Sequence, residues 1–370
     1  MLLKTDAWQK QRQKQGQKQG KALLVVAGCL LFASLGKPCA AKSGQHVFAC
    51  QTQAENAQNR ARCSAKAGDL PTVTLAELHP TQAVVGHDEV LYRLGRYHAD
   101  ISKDRINHRF NDWCQANGQG NAASALPHAS LQDPASFTCK LAVGQETSAS
   151  LAAMKTAVVG PGGKLYLTDG HHTMTAFYES EGAQLPVRVR IVSNLGHLGQ
   201  SGFWRTMQRQ QWVWLRDGND QPIAPAQLPQ GMALKQFGND PYRSLVYFAR
   251  GIGYDKSAAS PPFQEFDWGR WLRANLPAGQ MDDCKGSDMP ACLALIERVS
   301  QAQVALADTA VVSGNKTAAN LGKLPAWNKG KDANAGTFGK LRQPYSAAKP
   351  GKLAYLMQYR LHLAASGNAP

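Results

Sequence analysis

The chain has no Cys-x-x-Cys pair and no Cys/His spacing of the zinc-finger kind, so a metal-stapled finger is excluded. It has no apolar run of the roughly 20 residues that a membrane-spanning helix needs, and no internal repeat. Charge is sparse: Asp, Glu, Lys and Arg make up 18% of the residues, too few for a disordered polyelectrolyte. Acids are scarcer than bases, 26 against 41, which leaves a formal charge of +15. That excess favours anionic partners, whether nucleic acid, phosphates or a membrane surface, and says nothing about fold. No phosphate-binding P-loop is present either. Gly160-Pro161-Gly162-Gly163-Lys164 precedes an apolar run instead of opening a helix, and no Ser or Thr follows the lysine, so it reads as a turn. With 370 residues and 43% apolar content the chain can bury a substantial core, as two units or as one domain with appendages.

The N-terminus accounts for much of the basicity. Residues 1–21 are polar and carry Lys4, Lys10, Arg12, Lys14, Lys18 and Lys21; Ala22 to Gly36 are apolar; Cys39-Ala40-Ala41 is a small-residue cleavage pattern. This order of basic, apolar and cleavage segments is that of a secretory signal. Val26-Ala27-Gly28-Cys29 also has the form of a lipobox, which makes a lipoprotein anchored through Cys29 the minor alternative. Removing residues 1–41 takes away seven bases and one acid, leaving 34 against 25, or +9. Six of the eight cysteines remain: Cys50, Cys63, Cys114, Cys139, Cys284 and Cys292. An even count in an exported chain, periplasmic or secreted, suggests disulfides, and six cysteines allow 15 connectivities. The simplest set pairs sequence neighbours, Cys50 with Cys63, Cys114 with Cys139, and Cys284 with Cys292.

The pattern along the chain is mixed. Residues 42–70 read as a loop or arm pinned by a disulfide, and 71–78 begin as a strand. Val90, Leu91, Leu94 and Tyr97 have helical spacing over 88–98. Residues 115–136 are polar and Gly/Ala/Ser-rich, an irregular loop closed by Cys114 and Cys139. Ala157-Val158-Val159 and Leu165-Tyr166-Leu167 flank the glycine-rich turn as a hairpin. A helix over 173–180 and a strand over 186–192 with Arg188 and Arg190 on its outer face follow. Helices are expected from Phe203, over 240–250 with Asp240 as N-cap and Pro241 in the first turn, over 290–310 and over 353–365; 322–352 reads as a loose basic tail.

Strand, then Asp169-Gly170-His171-His172, then helix is the most suggestive place for chemistry. Glycine at a strand-to-helix turn lets backbone approach a ligand, and the helix start offers free N–H groups to an anion. Asp169 and two histidines there could do acid–base work or hold a metal; the plainer alternative has Asp169 capping the helix and one histidine packed in the core. His171 and His172 start a helix on different sides, so one is expected to face the cleft.

Here the residues resemble a known group. Leu167-Thr168-Asp169-Gly170-His171-His172 resembles the DGHHR-type motif of the ParB/sulfiredoxin superfamily. Leu78-His79-Pro80-Thr81-Gln82 running to Glu89-Val90, Trp204 with Trp212-Val213, and Asp240-Pro241-Tyr242-Arg243-Ser244 are similar to blocks of its ParB-like nuclease family, over roughly residues 72–275. The resemblance implies an α/β (α+β) fold, a small mixed-sheet core whose cleft handles nucleotides or phosphates, with a helical C-terminal extension. Relatives include CTP-dependent DNA clamps, nucleotide-dependent serine kinases and sulfinic-acid reductases, so the fold does not settle activity. No Cys occurs in 160–180, which argues against the reductase; Thr173 stands where the motif has Arg; no CTP motif or helix-turn-helix reader is recognisable.

The expected organisation is signal peptide 1–41, pinned arm 42–70, core 71–200, helical extension 201–310 and basic tail 311–370. The expected function is an exported hydrolase of a phosphate-bearing substrate, small molecule or nucleic acid, with Asp169, His171, His172 and Glu89 carrying the chemistry. Thr81, Gln82, Gly170, Thr173 and Arg243 would bind the phosphate. Glu89 alternatively reads as a solvated helix carboxylate and Arg243 as a salt-bridge partner. The metal is open, with Mg²⁺ as the candidate. A nucleotide-dependent small-molecule kinase and a non-catalytic binding module are the other readings.

Overall fold

The computed structural model describes residues 40–257, 260–277 and 279–367. The expected signal peptide 1–41 and the candidate lipidation site Cys29 therefore lie outside the described residues, except for Ala40 and Ala41. Among the described residues no helix is long and apolar enough to cross a membrane. The fold is α+β, with small mixed sheets among many helices.

The first elements are α1 (Ala40–Gln51) and α2 (Ala57–Arg62). Two short helices thus stand where the polar composition suggested a loop. Asn56 makes the second possible by accepting the Asn59 N–H at 2.8 Å, and the Cys50–Cys63 disulfide ties the pair. Then come β1 (Thr72–Thr74), β2 (Leu78–His79), β3 (Val84–Val85) and α3 (His87–Tyr97). The single strand read over 71–78 is interrupted by a 3-10 turn at Leu75–Glu77, where the Glu77 carboxylate accepts the Thr74 N–H at 2.7 Å. On α3, Val90, Leu91, Leu94 and Tyr97 are all buried, as their spacing requires.

Helix α4 (His108–Ala116) precedes β4 (Ala122–Ala125) and β5 (Phe137–Cys139), which pair antiparallel. The stretch expected to be irregular is therefore a hairpin in part, and Cys139 on β5 is bonded to Cys114 on α4. β6 (Thr156–Val159) and β7 (Leu165–Leu167) form the expected hairpin, with Val158 opposite Tyr166. Gly162 and Gly163 take φ of +65° and +80° in its turn, a conformation open to glycine. α5 (His171–Glu181) follows β7.

The strand read as continuous over 186–192 splits into β8 (Pro186–Arg188) and β9 (Arg190–Asn194). β8 pairs antiparallel with β1, and β9 pairs parallel with β6. Val187, Val189 and Ile191 stay buried through the switch, so one alternating face serves two sheets. Arg188 on the outer face is held by Glu146 at 2.5 Å. The main sheet has the order β2-β7-β6-β9, with only the β6–β7 pair antiparallel.

The C-terminal half is helical: α6 (Gln200–Arg209), α7 (Pro241–Ala249), α8 (Gln264–Asn275), α9 (Met289–Ala305) and α10 (Lys352–Ala365). The Asp240 carboxylate accepts the Arg243 N–H at 3.1 Å and caps α7. The third disulfide, Cys284–Cys292, ties the start of α9 to the segment before it. Residues 322–352 are packed and not loose: Phe338 and Leu341 are buried, and Trp327 meets Phe338 at a ring separation of 5.1 Å. Lys329, Lys331, Lys340, Arg342 and Lys349 are exposed, while the few apolar side chains suffice to anchor the segment.

Candidate functional site

The main sheet delivers Asp169 and Gly170 to the start of α5. β7 ends at Leu167, and the hydroxyl of the next residue, Thr168, lies 2.7 Å from that of Thr156 on the neighbouring β6. Gly170 then turns the chain at φ +97°. A β-carbon there would sit 2.5 Å from Lys155 Cδ, so glycine is demanded twice, by conformation and by the lysine stem lying against it. No side chain caps α5, so the N–H groups of its first turn are left for a ligand or water. Asp169 is exposed beside this end.

Both histidines, not one, border the cleft. His171 is 3% exposed, and its Nε2 accepts the Thr81 backbone N–H at 3.0 Å. His172 Nε2 accepts the Gly86 N–H at 3.0 Å. Each ring is therefore neutral, with its proton on Nδ1. Burial pulls His171 down to about 4. Burial, with Arg243 and Arg93 nearby, holds His172 well below the ordinary imidazole value against the opposing pull of Glu89. The two rings thus pin the Thr81–Gly86 loop to the start of α5. Thr81 completes the joint by donating its hydroxyl to Leu167 O at 2.6 Å. The Gln82 amide is turned onto the Val84 carbonyl at 2.9 Å. Thr173 is buried and lines the same cleft.

Glu89 is buried rather than solvated. Its Oε1 accepts from Arg93 at 3.2 Å, and its Oε2 lies 3.1 Å from Arg243 Nη1. Burial opposes its charge, but Arg243 and Arg93 together hold the carboxyl well below the usual range. Arg243 also donates to Glu265 at 2.9 Å, so it is a buried bridge between two carboxylates on different helices. Arg250 and Lys256 close on Glu265 as well, the lysine at 3.3 Å. Desolvation at the cleft draws the Lys256 ammonium down to about 8, although its side chain is 42% exposed and Asp169 and Glu89 favour its charge.

These residues enclose a cavity of about 480 Å³, within the range of small-molecule sites. Five cations line it (Arg93, Lys155, Arg243, Arg250 and Lys256) against three carboxylates, Glu89, Asp169 and Glu265. Lys155 has no ion-pair partner among the described residues. The buried Nε atoms of Arg243 and Arg250 make no hydrogen bond among them either. Trp212, Phe263 and Phe266 supply the apolar wall. Trp204 instead packs on Tyr166 at 5.4 Å, and Trp214 stacks on Phe266 at 5.0 Å. Among the described residues no three His, Cys, Asp or Glu side chains gather to hold a metal ion.

Sequence reasoning named Asp169, Gly170, His171, His172, Thr173, Gln82, Glu89 and Arg243, and all eight border this cavity; Thr81 supports it from behind. It missed Arg93, Lys155, Arg250, Lys256 and Glu265. Arg93 was within reach as the residue four after Glu89 on one helix face; the others carry no local signal.

The family model described as "Putative ParB-like nuclease" matches residues 71–274, a little over half of the chain. The chain belongs to that family. Among solved structures it is similar to protein Atu1540 from Agrobacterium tumefaciens, at 22% identity over 62% of this chain and 90% of that one, with a TM-score of 0.41. No curated protein matches.

Proposed function

We propose that this member of the ParB-like nuclease family is an exported hydrolase that cleaves a phosphate ester in the cleft at Gly170. One observation carries the reading: an uncapped helix start and five cationic side chains converge on one cavity, with the Lys155 charge and the Arg243 and Arg250 Nε donors unmet among the described residues. Such a site offers a phosphate backbone N–H groups, a favourable helix dipole and guanidinium forks.

In this reading the phosphate of the substrate lies against the first turn of α5, with Lys155 and Arg250 on its oxygens. The exposed Asp169 carboxylate takes a proton from the attacking water as the new P–O bond forms. Lys256, drawn to about 8, gives a proton to the ester oxygen as the old P–O bond breaks. Arg243, fixed by Glu89 and Glu265, positions Arg250 and Lys256 by sharing their carboxylate. His171 and His172 hold the loop at Thr81 to the helix start; their role is to keep the cleft shaped. No step here passes through a metal, since among the described residues no three ligating side chains gather to hold one. Export is supported by the leader composition and by the three disulfides.

The test uses the full chain with its disulfides formed. Bis-p-nitrophenyl phosphate and short DNA and RNA strands are the substrates, with and without Mg²⁺. Asp169→Asn should lower turnover about 100-fold or more while leaving the melting temperature in place. Equal turnover by this variant overturns the assignment of Asp169. Absence of turnover, with nucleotides still raising the melting temperature, overturns the hydrolase and leaves a binding module.

A further inference from the structure

Helix α3 lines two cavities with one stripe of residues: Glu89 and Arg93 border the cleft described above, and Tyr92 and Arg96, also four residues apart, border a second cavity of about 410 Å³. Its remaining charged wall is Lys103, Asp104, Arg105, Lys349 and Lys352. Five cations therefore face one carboxylate. Arg96 takes that carboxylate at 2.7 Å, and the Lys103 ammonium is spent on backbone carbonyls of Tyr345 and Ala347. Arg105, Lys349 and Lys352 have no ion-pair or hydrogen-bond partner among the described residues.

Fold stability does not account for this arrangement. Lys352 is the first residue of α10, the helix end where a cation opposes the dipole. No acid occupies the first turn, and no side chain caps it. The Lys352 ammonium sits instead over the Tyr247 ring at 4.5 Å and the Tyr92 ring at 6.0 Å. Tyr92 is 6% exposed. Its oxygen accepts from Arg96 at 3.3 Å, while its own O–H finds no acceptor among the described residues. A buried donor, three unneutralised cations and an open helix start thus meet in one cavity. Each of these is satisfied by the same kind of ligand, a compact anion rich in oxygen acceptors.

From this geometry we infer that the cavity between α3 and the start of α10 is a second anion site, one that takes a phosphate group. The group can come from a free phosphorylated molecule or from a nucleic-acid strand. The inference is independent of whether the first cleft hydrolyses anything.

Full-length oxidised protein titrated calorimetrically with pyrophosphate tests it. Lys155→Ala marks the first cleft, Arg105→Ala with Lys349→Ala marks the second, and Lys352→Met gives an independent reading of the second. The double variant removes exposed side chains and so spares the fold. Wild type should take up two equivalents. The double variant and Lys352→Met should each weaken one equivalent about tenfold or more and leave untouched the one that Lys155→Ala weakens. A short single-stranded oligonucleotide is the second arm. If its binding falls in parallel with pyrophosphate, the phosphate belongs to a strand; if it is unchanged while pyrophosphate is lost, the ligand is a free anion. Wild-type binding of both probes by the double variant and by Lys352→Met overturns the second site, as does a single equivalent that Lys155→Ala alone abolishes.

Discussion

Acid should loosen the cleft through one histidine. His171 Nε2 accepts the Thr81 N–H, and a proton on that nitrogen would set donor against donor inside the core. Burial holds the ring at about 4, against 6.5 when it is free. The folded value is depressed, so the stabilisation is present above 6.5 and is lost as pH falls toward 4. Linkage gives the size: the penalty is near zero at pH 7, about 2 kcal/mol at pH 5 and about 3 kcal/mol at pH 4. The ring is almost fully buried, so solvent screening takes little from this figure. His171→Gln keeps an acceptor for Thr81 without a titrating nitrogen. Urea unfolding followed by tryptophan fluorescence at pH 7, 6 and 5 compares the two proteins with disulfides intact. Wild type should lose about 2 kcal/mol more than the variant between pH 7 and pH 5. Other titrating groups are common to both proteins and largely cancel in the difference. Parallel losses, within about 0.5 kcal/mol, would refute the account of His171 as a neutral pin.

Two further outcomes follow from packing and covalent structure. Arg243→Ala removes the cation between the buried carboxylates Glu89 and Glu265, leaving Arg93 on the first and Arg250 and Lys256 on the second, and should cost on the order of 3 kcal/mol in urea unfolding; a loss below about 1 kcal/mol would show that the remaining cations suffice. Replacing Cys114 and Cys139 by alanine opens a loop of sequence separation 25, and should cost about 3 kcal/mol, read as a lower urea midpoint; an unchanged midpoint would mean that the β4–β5 hairpin constrains the chain without the bond.

Much of the molecule was legible before any coordinates because its signals are local. The β6–β7 hairpin follows from two apolar triplets around glycines that take left-handed φ. The start of α7 follows from Asp240 and Pro241, and α3 from the spacing of Val90, Leu91, Leu94 and Tyr97. The six cysteines of the described residues pair between sequence neighbours, the arrangement with the shortest loops. The less legible parts depend on distant partners. Nothing local says that the strand over 186–192 must change sheets at Val189; β1 and β6, far apart in sequence, offer it two edges. Basic composition over 322–352 suggested a loose tail, but Phe338 and Leu341 found a core to enter.

The site divides in the same way. The sequence by itself determined that a strand would end at Asp169-Gly170 and open a helix at two histidines, because turn geometry and helix initiation are short-range. Only the tertiary structure decided what those residues face. Folding turned both histidines onto backbone N–H groups and so made them neutral. It buried Glu89 between arginines from its own helix and from α7, and brought Lys155, Arg250 and Lys256 to the rim. Charge acts through space, and a residue's electrostatic partners are chosen by the packing of elements that the sequence keeps far apart.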